Sequence, residues 1–82
     1  EIVIVPQLYS PEISINSHFN EPTKCVVSIV AENGKSVIKK SFEAPKGDYS
    51  FVLHYNELVP GMYICNVKTE KGMSESKKFY KQ

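Results

Sequence analysis

The side chains of this chain that could carry out chemistry are few and widely spaced. They comprise two cysteines (Cys25 and Cys65), two histidines (His18 and His54) and a single aspartate, Asp48. A metal site needs three or four converging Cys, His or carboxylate ligands, and the sequence shows no such spacing. No serine or cysteine lies in a nucleophile elbow, and no glycine-rich loop precedes a helix. We therefore expect no enzyme, no metal and no cofactor, and we expect both histidines at the surface or rim.

The two cysteines leave two alternatives open. Cys25 and Cys65 fall on the third and sixth apolar segments, with both side chains facing inward. In a sandwich these segments are neighbours in one sheet, where a bridge between adjacent strands is strained. The pattern therefore favours two small buried hydrophobic side chains over a disulfide. Tyr63 precedes Cys65 by two residues, which is the spacing of the tyrosine corner of immunoglobulin domains, although their core tryptophan is absent.

The composition excludes other classes of function. All ten basic residues are lysines. Arginine provides the planar fork that reads guanine edges and phosphates, so its absence argues against sequence-specific nucleic-acid binding. No apolar run approaches the roughly 18 residues that span a bilayer. No signal peptide is present, and Glu1 opens directly on an apolar segment, which suggests a fragment of a longer protein.

The elements that must position these residues are all β-strands. Seven short apolar or alternating segments follow one another with turn residues between them, and no segment keeps a helical apolar period. They are residues 1–5, 12–19, 24–31, 35–42, 48–55, 62–69 and 73–81. The sequence predicts one all-β domain over residues 1–82, a seven-stranded antiparallel immunoglobulin-like β-sandwich.

Turn residues and strand phase give finer predictions. Asn33-Gly34 predicts a tight type I′ hairpin, and Pro60-Gly61 predicts a bend just before the sixth strand. Because alternate residues of a strand face opposite sides, the phase of each segment predicts its buried side chains. They are Ile13, Ile15, Val27, Ile29, Val37, Phe51, Leu53, Tyr63, Cys65, Val67 and Phe79.

Three ordered pieces of the chain, over roughly residues 4–82, resemble the C-terminal sorting domain of the type IX secretion system of Bacteroidetes. The final piece, "LVPGMYICNVKTEKGMSESKKFYK", is similar to the family's Leu-x-x-Gly-x-Tyr, strand, Gly turn and lysine-rich last strand. The middle piece, "VVSIVAENGKSVIKKS", is similar to its strand, Gly-Lys turn and strand. In the opening, "IVPQLYSPEISI", Pro6 matches the first proline of Tyr-Pro-Asn-Pro, whereas Val5, Gln7 and Leu8 depart from it.

The resemblance implies both a function and a site. Such a domain directs its parent protein from the periplasm through an outer-membrane translocon to the cell surface or extracellular space. A sortase-like peptidase then usually removes the domain. The last strands and terminal lysines matter most in the family, which by carry-over implies recognition through Gly61, Tyr63, Lys77, Lys78 and Lys81. An exposed final strand would also allow two copies to pair edge to edge.

Two other functions share this fold. The chain could be an adhesion or carbohydrate-binding module of a surface or periplasmic protein, for which an exposed aromatic strip that includes Tyr49 and Tyr55 would be suitable. It could also be a structural spacer. Only a sorting domain must end its native chain, and only a sorting domain exports a fused reporter.

Overall fold

The chain forms seven β-strands in the computed structural model, which describes residues 1–7 and 9–82. All seven predicted strands are present, and their bounds lie within two residues of the predicted ones. The largest difference is at the end of β4, which continues to Ala44 because Glu43 and Ala44 pair with β3. The strands are β1 (Ile2–Pro6), β2 (Glu12–Phe19), β3 (Thr23–Ala31), β4 (Ser36–Ala44), β5 (Gly47–His54), β6 (Gly61–Thr69) and β7 (Ser74–Lys81).

The strands form two antiparallel sheets that pack face to face. One sheet has three strands in the order β1-β2-β5, and the other has four in the order β4-β3-β6-β7. β3 and β6 are neighbours, as predicted. β4 pairs with β3 and not with β5, so this sandwich differs from the constant-type immunoglobulin domain, whose fourth strand joins the opposite sheet. No helix in the described residues is long and apolar enough to cross a membrane.

The core lies between the sheets and consists of the inward side chains of alternating strand positions. Ile13, Ile15, Val27, Ile29, Cys65 and Val67 have no measurable exposure, and Leu53, Tyr63 and Phe79 are also buried. Phe51 is partly buried against the same core. These positions confirm the predicted phase of β2, β3, β5, β6 and β7. Burial of this apolar surface is the main favourable term in the folding of the domain.

The predicted burial of Val37 is wrong. Val37 is 39% exposed, whereas Ile38 is 8% exposed and pairs with Ile29. The register between β3 and β4 shifts between Ile29 and Val30, where β4 pairs next through Ser36. A β-bulge of this kind places two residues opposite one and reverses the apparent alternation on one side of it. On the other side of the bulge Ile38, Phe42 and Ala44 face the core, so the predicted phase is wrong for β4 as a whole.

The turn between β3 and β4 is not the predicted two-residue type I′ hairpin. In that turn type both central residues have positive φ, but here Gly34 has φ +87° and Asn33 does not. The N–H of Gly34 donates to the carbonyl of Ala31, and the side-chain oxygen of Asn33 accepts from the N–H of Lys35. The result is a three-residue loop with glycine at its left-handed position, which is the next most common hairpin connection.

Candidate recognition site on the terminal hairpin

The five predicted recognition residues lie on one hairpin, formed by β6 and β7 at the edge of the four-stranded sheet. Gly61 is opposite Lys81 at the open end of this hairpin, and Tyr63 is opposite Phe79 two pairs further along. The carry-over from the family thus selects residues that the fold brings together.

The loop that leads into β6 is held by a tyrosine corner. The hydroxyl of Tyr63 donates a 2.6 Å hydrogen bond to the carbonyl of Val59, four residues upstream. Gly61 lies between them with φ +152°, a backbone conformation that residues with a side chain rarely adopt. Tyr63 itself is buried. The tyrosine-corner spacing noted in the sequence therefore corresponds to a real corner, in which Gly61 and Tyr63 shape the chain.

Lys81 fastens the other side of the same loop. Its ammonium group donates to the carbonyl of Leu58 at 2.7 Å and to that of Asn56 at 3.0 Å. The Leu58 side chain is buried beneath it. Charge-assisted hydrogen bonds of this kind are stronger than those between neutral groups. Lys81 is therefore engaged within the domain, and its ammonium group ties the end of β7 to the β5–β6 loop.

An aromatic cluster fills the space under this corner. The ring of Phe79 lies 5.0 Å from that of Tyr55 and 5.8 Å from that of Tyr63, measured between centroids. Offset and tilted pairs at these distances stabilise beyond the area that they bury. Tyr55 is buried, which raises the pKa of its hydroxyl. The burial of Tyr55 contradicts the exposed aromatic strip considered for Tyr49 and Tyr55. The sequence signal for this burial was the alternation of Phe51, Leu53 and Tyr55, which continues the buried face of β5.

The turn of the hairpin is fastened as well, by contacts that the sequence did not reveal. Lys71 pairs with the carboxylate of Glu21 in the β2–β3 connection, which lowers the pKa of Glu21 through a hydrogen bond and the lysine charge. The side chain of Glu70 accepts a hydrogen bond from the backbone N–H of Lys24. The β6–β7 hairpin is thus connected to the rest of the domain at both ends.

Lys77 and Lys78 differ from Lys81, since both are exposed. In the part of the chain that the structure describes, neither lies in an ion pair. They point to opposite sides of the sheet: Lys77 is opposite the buried Cys65 and Lys78 is opposite the half-exposed Ile64. Both belong to β7, which pairs with β6 on one side and ends the sheet on the other, where β1 of the second sheet packs near it without pairing. Two free ammonium groups therefore flank an open strand edge.

Cys25 and Cys65 are free, buried thiols. Cys25 pairs with Thr69, whereas Cys65 pairs with Ile29, so the two cysteines are four positions apart along neighbouring strands. That offset corresponds to roughly 13 Å, whereas the Cα atoms of a disulfide are less than about 7 Å apart. The structure therefore has the thiol alternative and not the disulfide. Burial raises the pKa of Cys65 to about 11 and also raises that of Cys25, with a smaller effect of Glu70.

The histidines lie on the surface, as predicted, each beside a carboxylate of the neighbouring strand. The Nδ1 atom of His18 is 2.7 Å from Asp48, and that of His54 is 3.4 Å from Glu12. Among residues 1–7 and 9–82 no group of three or more His, Cys, Asp or Glu could hold a metal ion. The two pairs connect β2 with β5 at opposite ends of the three-stranded sheet.

Comparison with known proteins decides the family. The model of the secretion system C-terminal sorting domain matches residues 9–82, which include every element of the hairpin described above. The chain belongs to this family. No curated protein and no solved structure matches the chain.

Membership of the sorting-domain family establishes what the domain does. It is the C-terminal sorting signal for type IX secretion, recognised by that secretion system and directing its parent through the outer membrane toward the cell surface. The family is not a catalytic one. It therefore favours the sorting function over an adhesion or carbohydrate-binding module, in agreement with the burial of Tyr55.

Proposed function

We propose that the secretion machinery recognises the sorting domain at β7, through the exposed ammonium groups of Lys77 and Lys78 and the free edge of this strand. Gly61, Tyr63 and Lys81 then act by holding that strand in position. The observation that carries the proposal is the contrast among the lysines: Lys81 is hydrogen-bonded to two main-chain carbonyls, whereas Lys77 and Lys78 are exposed.

An edge strand is suited to capture by another protein. Its outer row of N–H and C=O groups has no partner, so an incoming strand can add to the sheet with main-chain hydrogen bonds. Charged side chains on such a strand discourage pairing with the wrong chain and present charge to the right one. β7 combines both features, because it is eight residues long and six of its residues are exposed.

The same proposal includes the route of the domain from the periplasm to the cell surface. The folded domain crosses the periplasm attached to its parent and meets the outer-membrane translocon as a rigid, preformed hairpin. A sortase-like peptidase then removes the domain while the parent is attached to the surface. The contacts at both ends of the hairpin support this order of events, because they fix β7 before any partner arrives.

A reporter fusion tests the proposal. A fluorescent protein fused to residues 1–82 is expressed in a bacterium with a type IX system, and surface and periplasmic fractions are compared. Lys77→Gln/Lys78→Gln should leave most reporter in the periplasm, whereas Lys35→Gln/Lys46→Gln, with the same loss of charge in two loops, should export normally. Deletion of residues 74–82 should abolish export. Normal export by the first double variant would overturn the assignment of Lys77 and Lys78.

A further inference from the structure

The two sheets of the sandwich carry opposite charge. The strands β1, β2 and β5 contain no lysine, but they carry Glu12 and Asp48. The four-stranded sheet with its two hairpin turns, residues 23–44 and 61–81, has nine lysines against four glutamates, a net charge of +5. The whole chain has a net charge of only +1, so its composition conceals this separation. Separated charge of this kind steers and orients a charged partner.

The outer face of the four-stranded sheet is basic as well. Strand alternation places four lysines and one glutamate there: Lys24, Lys39, Lys68, Lys78 and Glu43. All four lysines are exposed, and within the described residues none of them forms an ion pair. A concavity of about 860 Å³ opens at this sheet, and the charged residues of its lining are Lys24, Lys39 and Lys68 with Glu43 and Glu70. Three of these lysines are on strands other than β7, so this face is distinct from the edge proposed above.

Polar side chains between the lysines are held in place. Asn66 lies opposite Ser28 on one side and Ser76 on the other. Its amide nitrogen donates to the hydroxyls of Ser76 at 2.8 Å and Ser74 at 3.1 Å. This network covers the middle of the face with short, fixed polar groups. A partner therefore meets a preorganised surface and does not have to order long side chains across its centre.

One end of the same face is apolar. Met62 and Ile64 are 37% and 39% exposed, and Tyr80, opposite Met62, is 59% exposed. Tyrosine and methionine are enriched at the centres of protein interfaces, with charged residues at the rim. Four strands of about eight residues give a face of roughly 20 by 26 Å. Its projected area of about 520 Å² is roughly two thirds of the about 800 Å² that one partner contributes to a standard protein complex.

We propose that the outer face of the four-stranded sheet docks onto an acidic protein surface of the export pathway, with Lys39 and Lys68 supplying charge complementarity and Met62, Ile64 and Tyr80 the apolar contact. The proposal rests on the sorting role and adds a second contact to the capture of β7. A protein fits better than a membrane, because a flat lipid surface cannot reach the centre of a concave face.

A matched charge reversal in the reporter fusion tests this face. Lys39→Glu/Lys68→Glu should reduce export by roughly tenfold or more, since reversal of interfacial charge opposes encounter with an acidic partner. Lys35→Glu/Lys46→Glu makes the same change in net charge in two loops and should export within about twofold of the parent domain. Both proteins should unfold in urea at the same midpoint as the parent domain, because none of the four lysines has an ion-pair partner in the described residues.

The remaining outcomes separate the alternatives. Export of Lys39→Glu/Lys68→Glu at the parent level, or an equal loss in both double variants, would overturn the proposal. Cosedimentation of the purified domain with phosphatidylglycerol-containing vesicles, lost in Lys39→Glu/Lys68→Glu, would assign the face to lipid instead. Self-association lost in that variant would assign it to a second copy. Lys77→Gln/Lys78→Gln reports separately: normal export of that variant would refute the role of β7, and the charge reversal of Lys39 and Lys68 would still decide the face.

Discussion

The ammonium nitrogen of Lys81 lies 2.7 Å from the carbonyl oxygen of Leu58, 23 residues earlier in the chain. This contact attaches the last residue of β7 to the loop that the tyrosine corner also holds. A lysine that resembles the other terminal lysines in sequence is therefore a structural residue. Its loss and the loss of Lys78 should have different consequences.

Lys81→Met should lower the free energy of unfolding by about 1–2 kcal/mol, because two carbonyl oxygens lose a charged donor while the apolar stem of the side chain is kept. Lys78→Met, at an exposed position on the same strand, should change it by less than about 0.5 kcal/mol. Urea unfolding followed by circular dichroism measures both values. Equal stability of the two variants would show that the Lys81 contact contributes nothing.

Tyr63→Phe should destabilise the domain by about 1–2 kcal/mol, because it removes the hydrogen bond to Val59 and leaves that carbonyl without its partner. Tyr80→Phe removes the same hydroxyl from a side chain that is 59% exposed and should be nearly neutral. Thermal and urea unfolding of both variants provide the comparison. A neutral Tyr63→Phe would mean that the corner is held by ring packing alone.

The sequence predicted the strands well because strand alternation is a local signal. Apolar residues two apart, such as Ile13 and Ile15, identify a strand and its buried face without any knowledge of the partner strand. The bulge between Ile29 and Val30 has no such signal, since it depends on how β4 pairs with β3. Val37 and Ile38 are adjacent apolar residues, so the sequence did not decide which of them faces inward; the pairing of Ile38 with Ile29 does. The predicted type I′ turn at Asn33-Gly34 was also wrong, because the loop between β3 and β4 depends on how the two strands pair.

The site was less predictable than the fold. The corner formed by Tyr63 and Val59 is a contact over four residues, and its spacing was visible in the sequence. The role of Lys81 depends on carbonyls 23 and 25 residues upstream, and Lys71 meets Glu21 across 50 residues. The sequence around these two lysines does not name their distant partners. Only the fold separates lysines that hold the hairpin from those that are free to contact a partner.

Cys25 and Cys65 should be unreactive in the folded domain. Their exposures are 1% and 0%, and burial raises the pKa of both thiols, so the reactive thiolate is scarce at neutral pH. Ellman's reagent at pH 8 should detect no fast-reacting thiol in the native protein and two thiols per chain in guanidinium. No thiol in guanidinium would reveal a disulfide, and fast reaction of the native protein would contradict the burial.

Stability should fall in alkali. The pKa of Cys65 is about 11 in the folded domain against 9.0 for a free thiol, so the folded state holds the proton more tightly. The contribution of Cys65 to the free energy of unfolding is fully present below about pH 9 and is lost as the pH rises toward 11. At pH 11 the free energy of unfolding is lower by about 2 kcal/mol for this reason. Urea unfolding at a series of pH values from 7 to 11 measures it.

The control for the alkaline loss is Cys65→Ala, which removes the titrating group at the cost of a small cavity. Burial also raises the pKa of Cys25 and of Tyr55, so the relevant quantity is the difference between the two pH profiles. Cys65→Ala should be less stable at pH 7 and should lose less stability between pH 9 and 11. Parallel profiles would show that Cys65 does not contribute to the alkaline transition.

Lys77→Val should cause the domain to self-associate through β7. The ammonium group of Lys77 lies on the side of the sheet that faces the core, next to a strand edge without a partner, and a strand that added there would have to accommodate this charge. Valine removes that obstacle and favours an extended, half-buried strand. Sedimentation velocity should show dimers at concentrations where the parent domain is monomeric, whereas Lys46→Val, with the same loss of charge in a loop, should remain monomeric. Equal behaviour of the two variants would show that Lys77 does not protect the edge.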